Sequence, residues 1–88
     1  MKKVPGLSLY HFEGCPYCGR VRDAMRRLGL EFELRDIQRE PRYREELVSA
    51  TGKQMVPCLR IEGAGGVRWM HESADIVRYL EQEVAGKG

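Results

Sequence analysis

The feature that most restricts this chain is the placing of Cys15-Pro16-Tyr17-Cys18 between a short apolar run and a helix-patterned stretch. Leu7-Ser8-Leu9-Tyr10-His11-Phe12 reads as a strand and Glu13-Gly14 as a turn, and Val21, Ala24, Met25 and Leu28 then recur at helical spacing. Pro16 suits a first helical position, and Gly29 suits the stop. A cysteine pair at a strand-to-helix junction puts its first sulfur beside unpaired backbone N–H groups, where hydrogen bonds and the helix dipole favour thiolate over thiol. In such settings a cysteine pKa falls from about 8.5 into the range of roughly 3.5 to 7.5. The thiolate is the nucleophile, so the junction is a candidate redox site.

The remaining pattern builds a sheet around it. Glu31 to Ile37 alternates polar and apolar residues at period two, a strand with one buried face. Pro41 opens a second helical stretch that turns Tyr43, Leu47, Val48 and Ala50 inward and ends at Gly52 as a left-handed cap. Cys58 to Glu62 and Val67 to Met70 flank Gly63-Ala64-Gly65-Gly66 and read as a hairpin whose glycines supply positive backbone angles. Ser73 caps a last helix with the stripe Ile76, Val77, Leu80 and Val84, and Asp75 in its first turn complements the dipole. The order is β-α-β-α-β-β-α, with two parallel strands and then an antiparallel hairpin. This is an α/β sandwich, and the cysteine pair lies at the carboxyl end of a strand, where open sheets bind ligands.

With 88 residues, the expectation is one domain spanning 1–88. Fifteen basic residues against thirteen acidic ones, interspersed, argue against nucleic acid as the main partner. No apolar stretch approaches the roughly 18 residues of a membrane span, and the amino terminus lacks a secretory h-region, so no membrane partner and a cytoplasmic location are expected. Three cysteines are too few and odd in number for a secreted disulfide scaffold. The choice for Cys15 and Cys18 is then redox or zinc. A zinc site would need completion by Cys58, His11 or His71, yet the second closely spaced ligand pair of structural sites is missing, so no metal is expected.

Three separated segments, Cys15-Pro16-Tyr17-Cys18, Gly52-Lys53-Gln54-Met55-Val56-Pro57 and Glu72-Ser73-Ala74-Asp75-Ile76-Val77-Arg78-Tyr79-Leu80, give the chain its resemblance to the glutaredoxins of the thioredoxin-like superfamily. The third segment looks more like the Glu-Ser-x-x-Ile of glutathione transferase N-terminal domains, and bacterial glutaredoxins with a transferase-like architecture combine all three before a helical second domain. The resemblance implies a thioredoxin-like three-layer sandwich with a four-stranded mixed sheet. It implies a cis bond before Pro57, Val56 backbone pairing with the cysteinyl part of glutathione, and Glu72 and Ser73 holding the γ-glutamyl end. Tyr17, Met55 and Asp75 belong to the same implied glutathione site. The cation that many small glutaredoxins carry three residues before the first cysteine is replaced by Phe12; Lys53 or Arg20 supplies that charge.

By the same resemblance the chain is a glutathione-dependent thiol-disulfide oxidoreductase. Cys15, exposed at the helix start, attacks glutathionylated or disulfide-containing proteins, Cys18 is the more buried resolving thiol, and glutathione is the reductant, itself renewed by glutathione reductase. Alternatives are a glutathione-binding [2Fe-2S] scaffold and a redoxin served by thioredoxin reductase; a conjugating transferase ranks below both. A monomer is expected. Cys58 reads as core filler, His11 and His71 as neighbours without catalytic duty, Trp69 and Met70 as hairpin packing, and Arg20, Arg22, Arg26 and Arg27 as a solvated face.

Overall fold

A computed structural model describes residues 2–86. Its elements follow the expected order: β1 (Lys2–His11), α1 (Pro16–Arg27), β2 (Leu30–Asp36), α2 (Pro41–Thr51), β3 (Cys58–Gly63), β4 (Gly66–Met70) and α3 (Ser73–Tyr79), continued by a π-helical turn over Leu80–Ala85. The four strands form one mixed sheet in the order β2-β1-β3-β4, parallel between β1 and β2 and antiparallel elsewhere. Among the described residues no helix is long and apolar enough to cross a membrane.

Period-two alternation sorts the core into two layers. Leu7 and Leu9 of β1, Phe32 of β2, and Leu59 and Ile61 of β3 pack with Val21 of α1 and Ile76 of α3 on one face. Tyr10 and Cys58 point the other way and meet Ile37 and Leu47, with Tyr43, Val56 and Trp69 around them. The last five residues of β1 are all buried, as a central strand covered on both faces requires. Each fully buried leucine or isoleucine contributes about 1.5–3 kcal/mol. The strand begins earlier than Leu7 and carries a register shift between Lys3 and Ser8. Gly6 occupies it at φ +86°, where a Cβ would meet the Glu62 carbonyl at 3.0 Å, so glycine is needed on both counts.

Two expectations about packing are corrected. On α2 only Leu47 is fully buried, while Val48 and Ala50 are exposed. The inward face runs through Tyr43, Glu46, Leu47 and Thr51, because the Glu46 carboxylate accepts a hydrogen bond from the Tyr10 hydroxyl at 2.9 Å and pairs with Arg35 at 3.2 Å. Arg35 also donates to the Tyr10 oxygen at 2.7 Å, so one cluster pins α2 to β1 and β2. In the hairpin, Gly63 pairs with Gly66 around a two-residue loop, and the positive angle falls on Gly66, which closes the turn, at φ +128°.

Candidate functional site

Strand register gathers the three motif segments. Tyr10 lies opposite Cys58, and Leu59 lies opposite Met70, so the carboxyl ends of β1 and β4 and the amino end of β3 share one end of the sheet. Cys15 follows the first of these ends, the Val56–Pro57 bond precedes β3, and Glu72-Ser73 follows β4. The Val56–Pro57 bond is cis, as the resemblance implied.

Cys15 immediately precedes α1 in extended conformation, and its side chain makes no capping bond. Its N–H donates to the Phe12 carbonyl at 3.2 Å, and its own carbonyl accepts from Gly19 at 3.0 Å. Pro16 opens the helix where an N–H would be an orphan. Cys15 is 8% exposed and Cys18 0%, and both are free thiols. The order of burial is the expected one, but Cys15 is more enclosed than its expected exposed position. Burial pushes the Cys18 thiol up to about 12; its hydrogen bond with Cys15 adds to the rise, while a backbone hydrogen bond with Phe12 and the Arg22 charge oppose it. At neutral pH Cys18 is therefore a protonated thiol in hydrogen-bond contact with Cys15.

The other residues of the implied site differ in what holds them. Tyr17 is 56% exposed between the cysteines, and Met55 is 46% exposed before the cis bond. Lys53 is exposed, its backbone N–H donating to the Thr51 hydroxyl at 3.3 Å. Val56 packs on the Tyr10 layer, and Pro57 is buried. Glu72, not Ser73, is the residue preceding α3, and its side chain makes no capping bond; Ser73 is the first helical residue, which corrects its expected role as the cap. Asp75 is in the first turn and pairs with Arg78 at 3.7 Å, an exposed contact of small energetic weight.

Two contacts were not foreseen. Arg22 leaves the solvated face and folds back on the loop before the dithiol, donating to the Phe12 and Glu13 carbonyls at 3.4 and 3.3 Å and to His11 Nδ1 at 3.0 Å. A guanidinium cannot accept, so Nδ1 is the acceptor and His11 is neutral with its proton on Nε2. Burial first, then the Arg22 charge, lowers the His11 pKa, which agrees with that state. At β3, His71 Nε2 lies 3.9 Å from Cys58 Sγ, and His71 Nδ1 is buried with no hydrogen-bond partner among the described residues. Among the described residues no group of three or more His, Cys, Asp or Glu is placed to hold a metal ion.

The buried thiols set an alkaline limit on stability. Desolvation pushes Cys58 up to about 12, as it does Cys18, and burial is also the chief cause that raises Tyr10. The unfolded chain releases these thiol protons near 9.0, before the folded chain does. Stability is thus fully present below about pH 9 and is lost as pH rises toward the folded values. Urea midpoints are expected to hold level to about pH 8.5 and fall above it. Cys58→Ala should make the fall shallower; an unchanged slope would remove Cys58 from this account.

The geometry can be set beside known proteins. A family model described as "Glutathione S-transferase, N-terminal domain" matches residues 9–88. The chain belongs to this family. Solved structures similar to it include Leishmania TDR1, a trimeric glutathione transferase, at 26% identity over 88% of this chain and 17% of that one, with a TM-score of 0.71. Maleylacetoacetate isomerase from Anaeromyxobacter dehalogenans 2CP-1 with bound GSH matches at 26% identity over 88% and 37%, with a TM-score of 0.67. Glutaredoxin from Brucella melitensis matches at 27% identity over 96% and 90%, with a TM-score of 0.57. The chain therefore spans well under half of the transferase and the isomerase, and nearly all of the glutaredoxin. A comparison with curated proteins found no match. The four-stranded mixed sheet with three helices is the thioredoxin-like fold shared by glutaredoxins and transferase N-terminal domains.

Proposed function

We propose that this transferase-family domain is a glutathione-dependent thiol-disulfide oxidoreductase that reduces protein–glutathione mixed disulfides and protein disulfides. The observation that carries the reading is the asymmetry of the dithiol. Cys15 stands at the start of α1 with its side chain free of capping duty, and fully buried Cys18 is kept protonated and hydrogen-bonded to it. A thiol neighbour in contact with Cys15 and the unpaired N–H groups at the start of α1 are the surroundings in which attacking cysteines are found.

In this reading the Cys15 thiolate attacks the glutathione sulfur of a mixed disulfide. The Cys15–glutathione S–S bond forms, the protein–glutathione S–S bond breaks, and the protein cysteine leaves as a thiolate. A second glutathione thiolate then attacks the glutathione sulfur bound to Cys15, releasing glutathione disulfide and regenerating Cys15. With an intramolecular disulfide as substrate, Cys15 bonds to one substrate sulfur and the other leaves as a thiolate; Cys18 then gives up its proton and attacks the Cys15 sulfur, the substrate leaves as a dithiol, and two glutathiones reduce the resulting Cys15–Cys18 disulfide, leaving as glutathione disulfide. The Val56 backbone pairs with the cysteinyl part of glutathione, Glu72 and Ser73 hold its γ-glutamyl end, and Tyr17, Lys53, Met55 and Asp75 border it. Register, which puts these segments at one end of the sheet, supports that grouping. The similarity to an isomerase structure with bound GSH supports the ligand.

The reading is tested by treating the Cys18→Ser chain with glutathione disulfide and mapping adducts by mass spectrometry. One glutathione on Cys15 is expected. An adduct on Cys58 alone, or none, would remove Cys15 as the nucleophile.

A further inference from the structure

The four arginines of α1 are not equivalent. Arg22 is used by the loop carbonyls and His11, Arg26 pairs with Asp23 at 3.4 Å, and Arg27 pairs with Glu81 at 2.8 Å across to the π-helical turn. Among the described residues neither Arg20 nor Arg22 has a carboxylate within ion-pair distance, and of the two only Arg22 is engaged by hydrogen bonds to the loop. Arg20 is therefore the one left over. The Arg20 guanidinium lies over the ring of Tyr17, 5.4 Å from the centroid, and Tyr17 stands exposed between the two cysteines. A cation stacked on an aromatic face keeps its N–H groups directed outward for a carboxylate.

Arg20 also lines a groove of about 570 Å³ between α1 and α3, together with Ser73 and Ala74 at the start of α3. The other charges lining that groove, Asp23, Arg27, Arg78 and Glu81, are all ion-paired. The uncompensated charge of the groove is therefore the Arg20 cation, at the end nearest the dithiol. The nearby exposed acids, Glu13 on the loop before Cys15 and Glu72 before α3, lie on other segments and make no ion pair with it.

We propose that Arg20, held over Tyr17 at the dithiol end of this groove, selects disulfide substrates that carry an acidic residue beside the reacting cysteine. The inference rests on the dithiol reading above and names its substrate class. The contact is at an exposed rim, so it acts on encounter and on the rate of exchange more than on the chemistry at sulfur.

The test uses the Cys18→Ser chain and two peptides that differ only in the residues beside one cysteine, glutamates in one and lysines in the other. Each peptide cysteine is activated as a mixed disulfide with thionitrobenzoate. Cys15 attacks the peptide sulfur, the Cys15–peptide S–S bond forms, and thionitrobenzoate leaves as the coloured thiolate, the better leaving group of the two. Each rate is divided by that of 2-mercaptoethanol with the same peptide, which removes intrinsic reactivity. The acidic peptide is expected to exchange about two- to fivefold faster, the range of an exposed charge pair, with the preference shrinking as salt is added. Arg20→Gln should abolish the preference, Arg20→Lys should keep it, and Arg20→Glu should invert it. Equal rates in the parent chain, or a preference that survives Arg20→Gln, would overturn the inference and leave the dithiol reading standing. No exchange with either peptide would overturn both.

Discussion

Leu47→Ala is expected to cost about 2.7–5 kcal/mol, the range for emptying a fully buried leucine site. A domain of this size is stable by only about 4–13 kcal/mol, so the variant should lose a large part of its folded population well below the parent's denaturant midpoint. The cost falls on one element. Leu47 is the single fully buried residue of α2, and it touches the layer of Tyr10, Ile37 and Cys58 that also receives Val56 beside the cis bond. Loss of that anchor leaves α2 held by Tyr43 and the Glu46–Arg35–Tyr10 cluster, and it loosens the support of one wall of the candidate site. Val48→Ala, one position along and exposed, should change stability by no more than about 0.5 kcal/mol. Equal losses for the two variants in urea unfolding would contradict the packing of α2 described here.

That contrast also marks where sequence reasoning reached its limit. The turn residues and periodicities located every helix and strand, because Pro16, Pro41, Gly29 and Gly52 act on the backbone locally. The dithiol could be placed at the carboxyl end of a strand from the residues themselves, whereas the cis bond and the grouping of the three motifs came from the family resemblance. The face of α2 was misread because Glu46 counts as a solvent residue until its partners are known. Tyr10 and Arg35 are ten or more positions away along the chain, and they draw the carboxylate inward. Arg22 escaped for the same reason: its partners are two loop carbonyls and a histidine ring, which no helical periodicity records. The contact between Cys58 and His71 arises from the pairing of β3 with β4, and the identity of neither residue announces it.

Cys15→Ser carries the largest expected effect on activity. A serine hydroxyl stays protonated where a thiol ionises, so neither the buried Cys18 donor nor the helix start can make it a nucleophile. Turnover of a glutathione mixed disulfide should fall by at least about three orders of magnitude, the scale on which loss of a covalent nucleophile is felt. Cys18→Ser should behave differently. It removes the resolving thiol and leaves the attacking one, so mixed-disulfide reduction persists while reduction of an intramolecular disulfide peptide is lost. Cys58→Ala should leave both activities in place, because Cys58 is wholly buried in the layer behind the sheet and its thiol is held protonated.

The most direct measurement is turnover of a small glutathione mixed disulfide by the wild-type chain, coupled to glutathione, glutathione reductase and NADPH, with the three cysteine variants alongside. The account predicts NADPH oxidation that requires glutathione, disappears in Cys15→Ser and continues in Cys18→Ser and Cys58→Ala. Wild-type turnover that proceeds only with thioredoxin reductase, or that survives Cys15→Ser, would contradict it.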